Sequence, residues 1–217
     1  TTMIRKDIEC LLIDMDGVIL DNTYDNNFWQ NQIPSVLAEK KNISFDDAKR
    51  LAIQIFNFKK NTKDWYDVDY WTNMLGIDIV AEKKSEPSLS RIKLYDNVID
   101  TLSELKKHIR LILITNAHRK TLNIKLGKFN IEPYFNEMVC AHELYYVKED
   151  IQLWYMLRSK YKLNFDKTVL VEDTINNIKV ALSAGVKSAV YVGDEDFNPS
   201  KKIIKLDSIN QLLSTFD

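Results

Sequence analysis

The 217 residues suffice for one sizeable core carrying an insertion. A hydrophobic share of 45% is that of an ordinary globular protein, and 30 Lys and Arg against 31 Asp and Glu leave a net charge of −1, which argues against a nucleic-acid or membrane surface. The lysine pairs Lys59-Lys60, Lys83-Lys84, Lys106-Lys107 and Lys201-Lys202 are separated by acidic and apolar residues and read as solvated faces. Cys10 and Cys140 lie in apolar runs, as buried free thiols of a reducing compartment do. Two cysteines in such a setting make no metal site. No apolar stretch is long enough to span a bilayer, and no signal-peptide core precedes the first strand, so a cytoplasmic protein is expected.

In chain order, Leu11-Leu12-Ile13 is a buried strand that runs into Asp14-Met15-Asp16-Gly17. Gly17 suits the sharp turn that ends it. From Asp21 to about Tyr95 the strand pattern stops and helical patterns take over. The first holds Phe28, Gln32, Val36 and Leu37, with Pro34 tolerated only in a first turn or a bend. The second starts at Ser44, an N-cap with Asp47 three residues on, and presents Ala48, Leu51, Ala52 and Ile55. The third spans Lys63–Leu75 and stops at Gly76. Glu82–Arg91, with Pro87, reads as a return linker.

Beyond Asp96, which is placed to cap a helix carrying Val98, Leu102 and Leu105, strands and helices alternate. Leu111–Ile114 is a strand ending in Thr115-Asn116, followed by a helix with Leu122, Leu126 and Phe129. Met138–Ala141 is the next strand, and Lys148 precedes a helix with Leu153, Leu157 and Tyr161. Thr168–Val171 ends in Glu172-Asp173, before a helix with Ile175, Ile178 and Leu182 that stops at Gly185. Ser188–Val192 is a fifth strand, and a helix over 208–216 closes the chain. The alternation predicts an α/β fold: a doubly wound parallel sheet, Rossmann-like, formed by residues 1–20 and 96–217, with a small all-helical cap at 21–95 inserted after the first strand.

In a parallel sheet the polar strand ends Asp14-x-Asp16, Thr115-Asn116 and Glu172-Asp173 converge on one edge, with Lys148 beside them. Two carboxylates as close as Asp14 and Asp16 repel unless a cation or a proton sits between them. Each element also has an ordinary reading. Asp-rich turns follow many strands, Thr-Asn caps helices, a lone lysine is usually solvated, and Glu-Asp before a helix favours its dipole. The succession of all four is what points to a site. No Gly-x-x-x-x-Gly-Lys or Gly-x-Gly-x-x-Gly segment is present, so neither a P-loop nor a dinucleotide fold is supported.

The succession resembles the haloacid dehalogenase-like hydrolase superfamily over essentially the whole chain. Ile13-Asp14-Met15-Asp16-Gly17-Val18 is similar to its first motif, Leu113-Ile114-Thr115-Asn116 to the second, Lys148 to the third and Val171-Glu172-Asp173-Thr174 to the fourth. Within it, Asp25–Gln30, Trp65-Tyr66 with Asp69-Tyr70-Trp71, Leu75–Ile79, Thr115–His118 and Lys148-Glu149-Asp150 resemble the bacterial GMP/IMP 5′-nucleotidase branch. Glu149, where the superfamily commonly has proline, fits that branch. Glu172 stands where the branch carries aspartate.

The resemblance implies a Mg²⁺-dependent phosphate monoester hydrolase acting on a purine nucleoside monophosphate. Asp14 would be nucleophile and metal ligand. Asp16 would be the acid–base, giving the metal only its backbone carbonyl, and would need a raised pKa to begin protonated. Asp173 and Glu172 would complete the metal shell, Thr115 would hold the phosphate and Lys148 would neutralise it. Asn116, His118, Asn27, Trp29 and Tyr66 are the expected substrate contacts, although cap aromatics at helical spacing, Trp65 and Trp71 above all, equally suit the cap's own core. The alternatives are a phosphatase or phosphomutase for sugar phosphates or pyrimidine nucleotides and, in a different class, a non-catalytic phospho-receiver, which would need neither Asp16 nor a cap of this size. Neither the residues nor the resemblance indicates an oligomeric state.

Overall fold

The computed structural model describes residues 7–198 and 200–215. Its strands are β1 (Cys10–Ile13), β2 (Arg110–Thr115), β3 (Glu137–Cys140), β4 (Thr168–Glu172), β5 (Ser188–Val192) and β6 (Ile203–Leu206). Between β1 and β2 come helices α1 (Thr23–Asn27), α2 (Ile33–Lys41), α3 (Phe45–Asn57), α4 (Lys63–Tyr66), α5 (Val68–Leu75), α6 (Ile79–Lys83), α7 (Glu86–Leu89) and α8 (Val98–Lys106). Helix α9 (Arg119–Lys128) follows β2, α10 (Ile151–Tyr161) precedes β4, and α11 (Ile175–Ser183) joins β4 to β5. No helix among the described residues is long and apolar enough to cross a membrane.

By internal contacts the chain forms two compact units. One takes the chain up to Asp21, Leu94–Asn116 and the part from Phe129 on; the other takes Asn22–Lys93 and Ala117–Lys128.

The first unit is built on a six-stranded, wholly parallel sheet in the order β3-β2-β1-β4-β5-β6. Strands β1 and β4 are buried at every position, which is why Cys10–Ile13 and Val169–Val171 are apolar runs rather than alternating ones. Leu12 lies opposite both Ile112 and Leu170, and these residues share a core with Trp154, Leu157 and Ile178. The strand order reverses between β1 and β4, and in open α/β sheets the crevice at the carboxyl ends of such strands is where ligands bind. Both cysteines are free and buried, and burial pushes the Cys10 thiol up to about 12.

Three readings of this unit are corrected. Strand β6 extends the sheet where none was expected: it is a four-residue, partly exposed edge strand whose Ile203-Ile204-Lys205-Leu206 carries too little apolar run to stand out. Asn97, one residue after the expected Asp96, precedes helix α8 in the left-handed region (φ 61°), and its side chain makes no capping hydrogen bond. Residues 209–215 form a 3₁₀ helix rather than an α-helix, and Phe216 of the expected helix lies outside the described residues.

The second unit packs helices around Phe28, Leu37, Ala48, Ala52, Phe56 and Trp71. Ser44 caps α3 as expected, its hydroxyl accepting the Asp47 N–H at 3.1 Å. Pro34 lies in the first turn of α2, after a π-helical turn over Phe28–Gln32 that carries the chain into it. The expected Lys63–Leu75 helix is broken at Asp67, whose carboxylate turns back to cap α5 by accepting the N–H groups of Asp69 and Tyr70 at 2.9 and 3.3 Å. The expected linker over 82–91 holds the end of α6 and all of α7.

Lys83, read as solvated, is only 2% exposed, while Lys84 beside it is exposed. Its ammonium lies 4.3 Å from the centre of the Phe28 ring and 3.4 Å from Asp25. Helix α9 buries Thr121, Leu122, Ile124 and Lys125, whereas Leu126 and Phe129, expected on its apolar stripe, are half-buried. The stripe is rotated because Lys125 turns inward to meet Asp25 at 2.5 Å. Burial pushes the Asp25 carboxyl up, but Lys125 and Lys83 outweigh it and hold the group down to about 2.

Candidate active site

Strand β1 ends at Ile13, and the Asp14 N–H continues its ladder by donating to Val171 O at 2.9 Å. The chain then turns sharply. Met15 O accepts the N–H groups of Val18, Ile19 and Leu20 at 3.3, 2.8 and 3.0 Å, and Gly17 N–H donates to Leu20 O at 2.7 Å. Gly17 sits at φ +85°, and a β-carbon there would collide with the Asp173 carboxylate. The backbone of the first motif and the side chain of the fourth are therefore fitted to each other.

Lys148 is 2% exposed and bridges two strand ends, donating to Asp14 Oδ1 at 2.6 Å and to Glu172 Oε2 at 2.9 Å. The other oxygen of Glu172 accepts the N–H groups of Asp173 and Thr174 at 3.1 and 3.2 Å, where α11 begins. One carboxylate oxygen from each of Asp14, Glu172 and Asp173 lies within 4.8 Å of the others. Thr115 is buried at the end of β2, next to β1, and Asp16 is half-buried in the turn.

The electrostatics follow from two buried acids, Asp14 and Glu172, that share the buried Lys148 cation, with half-buried Asp173 beside them. Burial pushes the Asp14 carboxyl well above the usual range, and Glu172 adds to this against the opposing pull of Lys148. Burial also raises Glu172, with Lys148 opposing. Asp173 is pushed up to about 6 by burial and then by Asp14. Burial would lower Lys148, but Asp14 and Glu172 win and raise it. With all four ionised the group carries an excess of two negative charges. A hard divalent cation with oxygen ligands fits this donor set.

Asn116 turns its carboxamide toward Lys148 and Glu149, accepting the Lys148 N–H at 2.9 Å and donating to the Glu149 carboxylate at 3.1 and 3.3 Å. Tyr95 was not singled out in the sequence, where it only marks the end of the insertion. Its hydroxyl is raised by burial and then by the carboxylates of Asp21, Asp173 and Asp16, which places it in the field of the site.

The remaining expected contacts belong to the helical unit. Asn27 Oδ1 accepts from Asn31 Nδ2 at 3.1 Å on the same helical face. Trp29 packs edge-on against Phe28, Phe56 and Trp71 at 4.9, 5.3 and 6.4 Å between ring centres. Trp71 is fully buried and donates its indole N–H to Trp65 O at 2.9 Å, as a core residue would. Tyr66 is half-buried at the end of α4. His118 Nδ1 accepts the Lys120 N–H at 3.1 Å, which turns Nε2 toward Asp67 and Asp69 at 3.8 and 3.9 Å. Lys120 pairs with Asp69 at 2.7 Å.

The sequence model of the haloacid dehalogenase-like hydrolase family matches residues 11–192. The chain is 29% identical to the GMP/IMP nucleotidase YrfG of Escherichia coli, across 91% of this chain and 88% of that protein. Among solved structures, it superposes on a HAD phosphatase from Thermococcus onnurineus with a TM-score of 0.81 at 20% identity, covering 95% of this chain and 97% of the other. It also superposes on a HAD family enzyme from Bacteroides thetaiotaomicron, solved with magnesium and inorganic phosphate, with a TM-score of 0.61 at 18% identity, covering 88% and 97%. With the family match running from β1 to the end of β5 and the polar ends of β1, β2 and β4 gathered around Lys148, the chain belongs to the haloacid dehalogenase-like hydrolase family.

Proposed function

We propose that this protein is a Mg²⁺-dependent phosphate monoester hydrolase whose substrates are purine nucleoside 5′-monophosphates. The observation that carries the reaction class is the buried Lys148 ammonium held between Asp14 and Glu172, with Asp173 beside them. The nucleotide preference rests on the similarity to the E. coli GMP/IMP nucleotidase along nearly the whole chain.

In this reading an Asp14 oxygen attacks phosphorus as the ester P–O bond breaks, and Asp16 gives its proton to the leaving oxygen. Water then attacks the aspartyl-phosphate, Asp16 takes the water's proton, and the bond from phosphorus to Asp14 breaks to release phosphate. Burial works against an ionised Asp14, so its nucleophilicity depends on the positive charge beside it. Lys148 supplies part of that charge and faces the phosphoryl oxygens, and Thr115 donates its hydroxyl to them. Asp14, Asp173, Glu172 and the Asp16 carbonyl would hold Mg²⁺, which supplies further positive charge for the phosphoryl group when bound. Asn27, Trp29, Tyr66 and His118 are the residues to test for contact with the nucleoside.

The test is phosphate release with Mg²⁺ from GMP, IMP, AMP, UMP and ribose 5-phosphate. Release is expected to be fastest from GMP and IMP. Asp14→Asn is expected to lower it by roughly 10³-fold or more, and Lys148→Met by roughly 10²–10³-fold. No release from any substrate overturns the hydrolase reading, and a preference for ribose 5-phosphate overturns the nucleotide assignment alone.

A further inference from the structure

Lys148 has a demanding position. Its ammonium must reach two carboxylates at 2.6 and 2.9 Å from a flexible four-carbon stem, and that reach is set by the backbone from which it starts. That backbone is a reverse turn. The Asp150 N–H donates to Val147 O at 2.9 Å, so Lys148 and Glu149 are its two central residues. No proline fixes φ at position 149.

Two groups from outside the turn hold it instead. Buried Trp154 donates its indole N–H to Lys148 O at 3.0 Å. On the other side Asn116, the first residue after β2, accepts the Lys148 N–H with Oδ1 and donates to the Glu149 carboxylate with Nδ2. The polarity of the carboxamide is dictated by these partners. Turned over, it would set donor against donor at Lys148 and acceptor against acceptor at Glu149. An aspartate at 116 would keep the first bond and turn the second into a repulsion.

We propose that Asn116 is a positioning residue, its carboxamide clamping the Lys148-Glu149 turn so that the Lys148 ammonium is delivered to Asp14 and Glu172. The resemblance places Asn116 at the substrate; the clamp assigns it to the lysine, and Glu149 becomes its partner. The consequence for turnover rests on the hydrolase reading above. The placement of Lys148 does not.

The experiment exchanges the polarity of the pair. Asn116→Asp sets two carboxylates against each other; Asn116→Asp with Glu149→Gln restores one donor facing one acceptor while keeping both shapes. With GMP and Mg²⁺, Asn116→Asp is expected to lower kcat about tenfold, since small misplacements of a catalytic group cost up to about 10², while KM changes less than about twofold. The double variant is expected to recover to within about threefold of wild type. A double variant no faster than Asn116→Asp, or an Asn116→Asp variant with raised KM and unchanged kcat, overturns the proposal. Placement is read without turnover from two NMR signals. The Lys148 backbone amide is expected to lose at least about tenfold of its hydrogen-exchange protection in Asn116→Ala. The Lys148 ammonium resonance is expected to broaden away in Asn116→Asp and return in the double variant. If both signals are unchanged in the single variants, the proposal fails. If wild type releases no phosphate while both signals respond, the hydrolase reading fails and the clamp stands.

Discussion

Gly17 and Asp173 fit together so closely that no β-carbon can be placed between the backbone of the one and the carboxylate of the other. Gly17 also holds φ at +85°, where a side chain is strained. Gly17→Ala is therefore expected to cost about 1–2 kcal/mol from the backbone alone, and to displace a carboxylate assigned to the metal. Mg²⁺ affinity, measured by calorimetry, is expected to fall at least about tenfold, the effect of disturbing a ligand's setting. Gly185→Ala is the control. Its φ of +105° carries similar strain, but its β-carbon would meet only Phe165 at 4.0 Å. It is expected to lose stability and keep its Mg²⁺ affinity. Equal Mg²⁺ affinity in Gly17→Ala and wild type would show that Asp173 does not need this fit.

Three acids crowd around one lysine, so the protein without metal stores repulsion. Mg²⁺ is expected to raise the melting temperature, with a gain of about 2.7 kcal/mol at a hundredfold excess over Kd. Asp173→Asn removes one negative charge. It is expected to melt higher than wild type in EDTA and to lose most of the Mg²⁺-induced shift. Thermal melts of both proteins with and without Mg²⁺ decide this, and a variant that melts lower than wild type in EDTA contradicts the repulsion.

The Asp25–Lys125 pair makes an acid-dependent prediction. The folded pKa of Asp25, about 2, lies below that of an unfolded aspartate. Its contribution is therefore complete above roughly pH 4–5 and drains away as the pH falls toward 2; at neutral pH the shift is worth about 2 kcal/mol. Lys125→Met leaves Asp25 with Lys83 alone and is expected to cost less at pH 7 than the roughly 3–5 kcal/mol of a fully broken buried pair, because Lys83 still faces the carboxylate. Urea titrations at pH 7 and pH 3 should show the gap between the two proteins narrowing in acid. A gap independent of pH would assign the loss to packing rather than charge.

The sheet was legible because its strands are continuous apolar runs, and a run such as Leu111–Ile114 has few other uses in a chain of this composition. The site was legible for a related reason: parallel strands deliver their carboxyl ends to one edge, so Asp14, Thr115 and Glu172 were brought together by topology alone. Pairings across long sequence separations were not legible. Nothing near Lys83 or Lys125 marks either as buried, because the cause, Asp25, is 58 residues from one and 100 from the other. Asp67 fell inside the expected Lys63–Leu75 helix, yet its side chain competes for the backbone and divides that helix in two. Asn116 was expected at the substrate from the resemblance, whereas its hydrogen bonds reach residues 32 and 33 positions away.

Helix α9 follows β2 directly but packs with the helical unit, which holds it through the Lys120–Asp69 and Lys125–Asp25 pairs. The chain therefore passes between units four times, at Asp21, Lys93, Asn116 and Lys128, where a simple insertion would need only two passages. A graft that moved residues 22–93 into another member of the family would leave Lys125 behind and carry off its counter-ion. A transferable helical module must therefore include the stretch after β2 as well as residues 22–93.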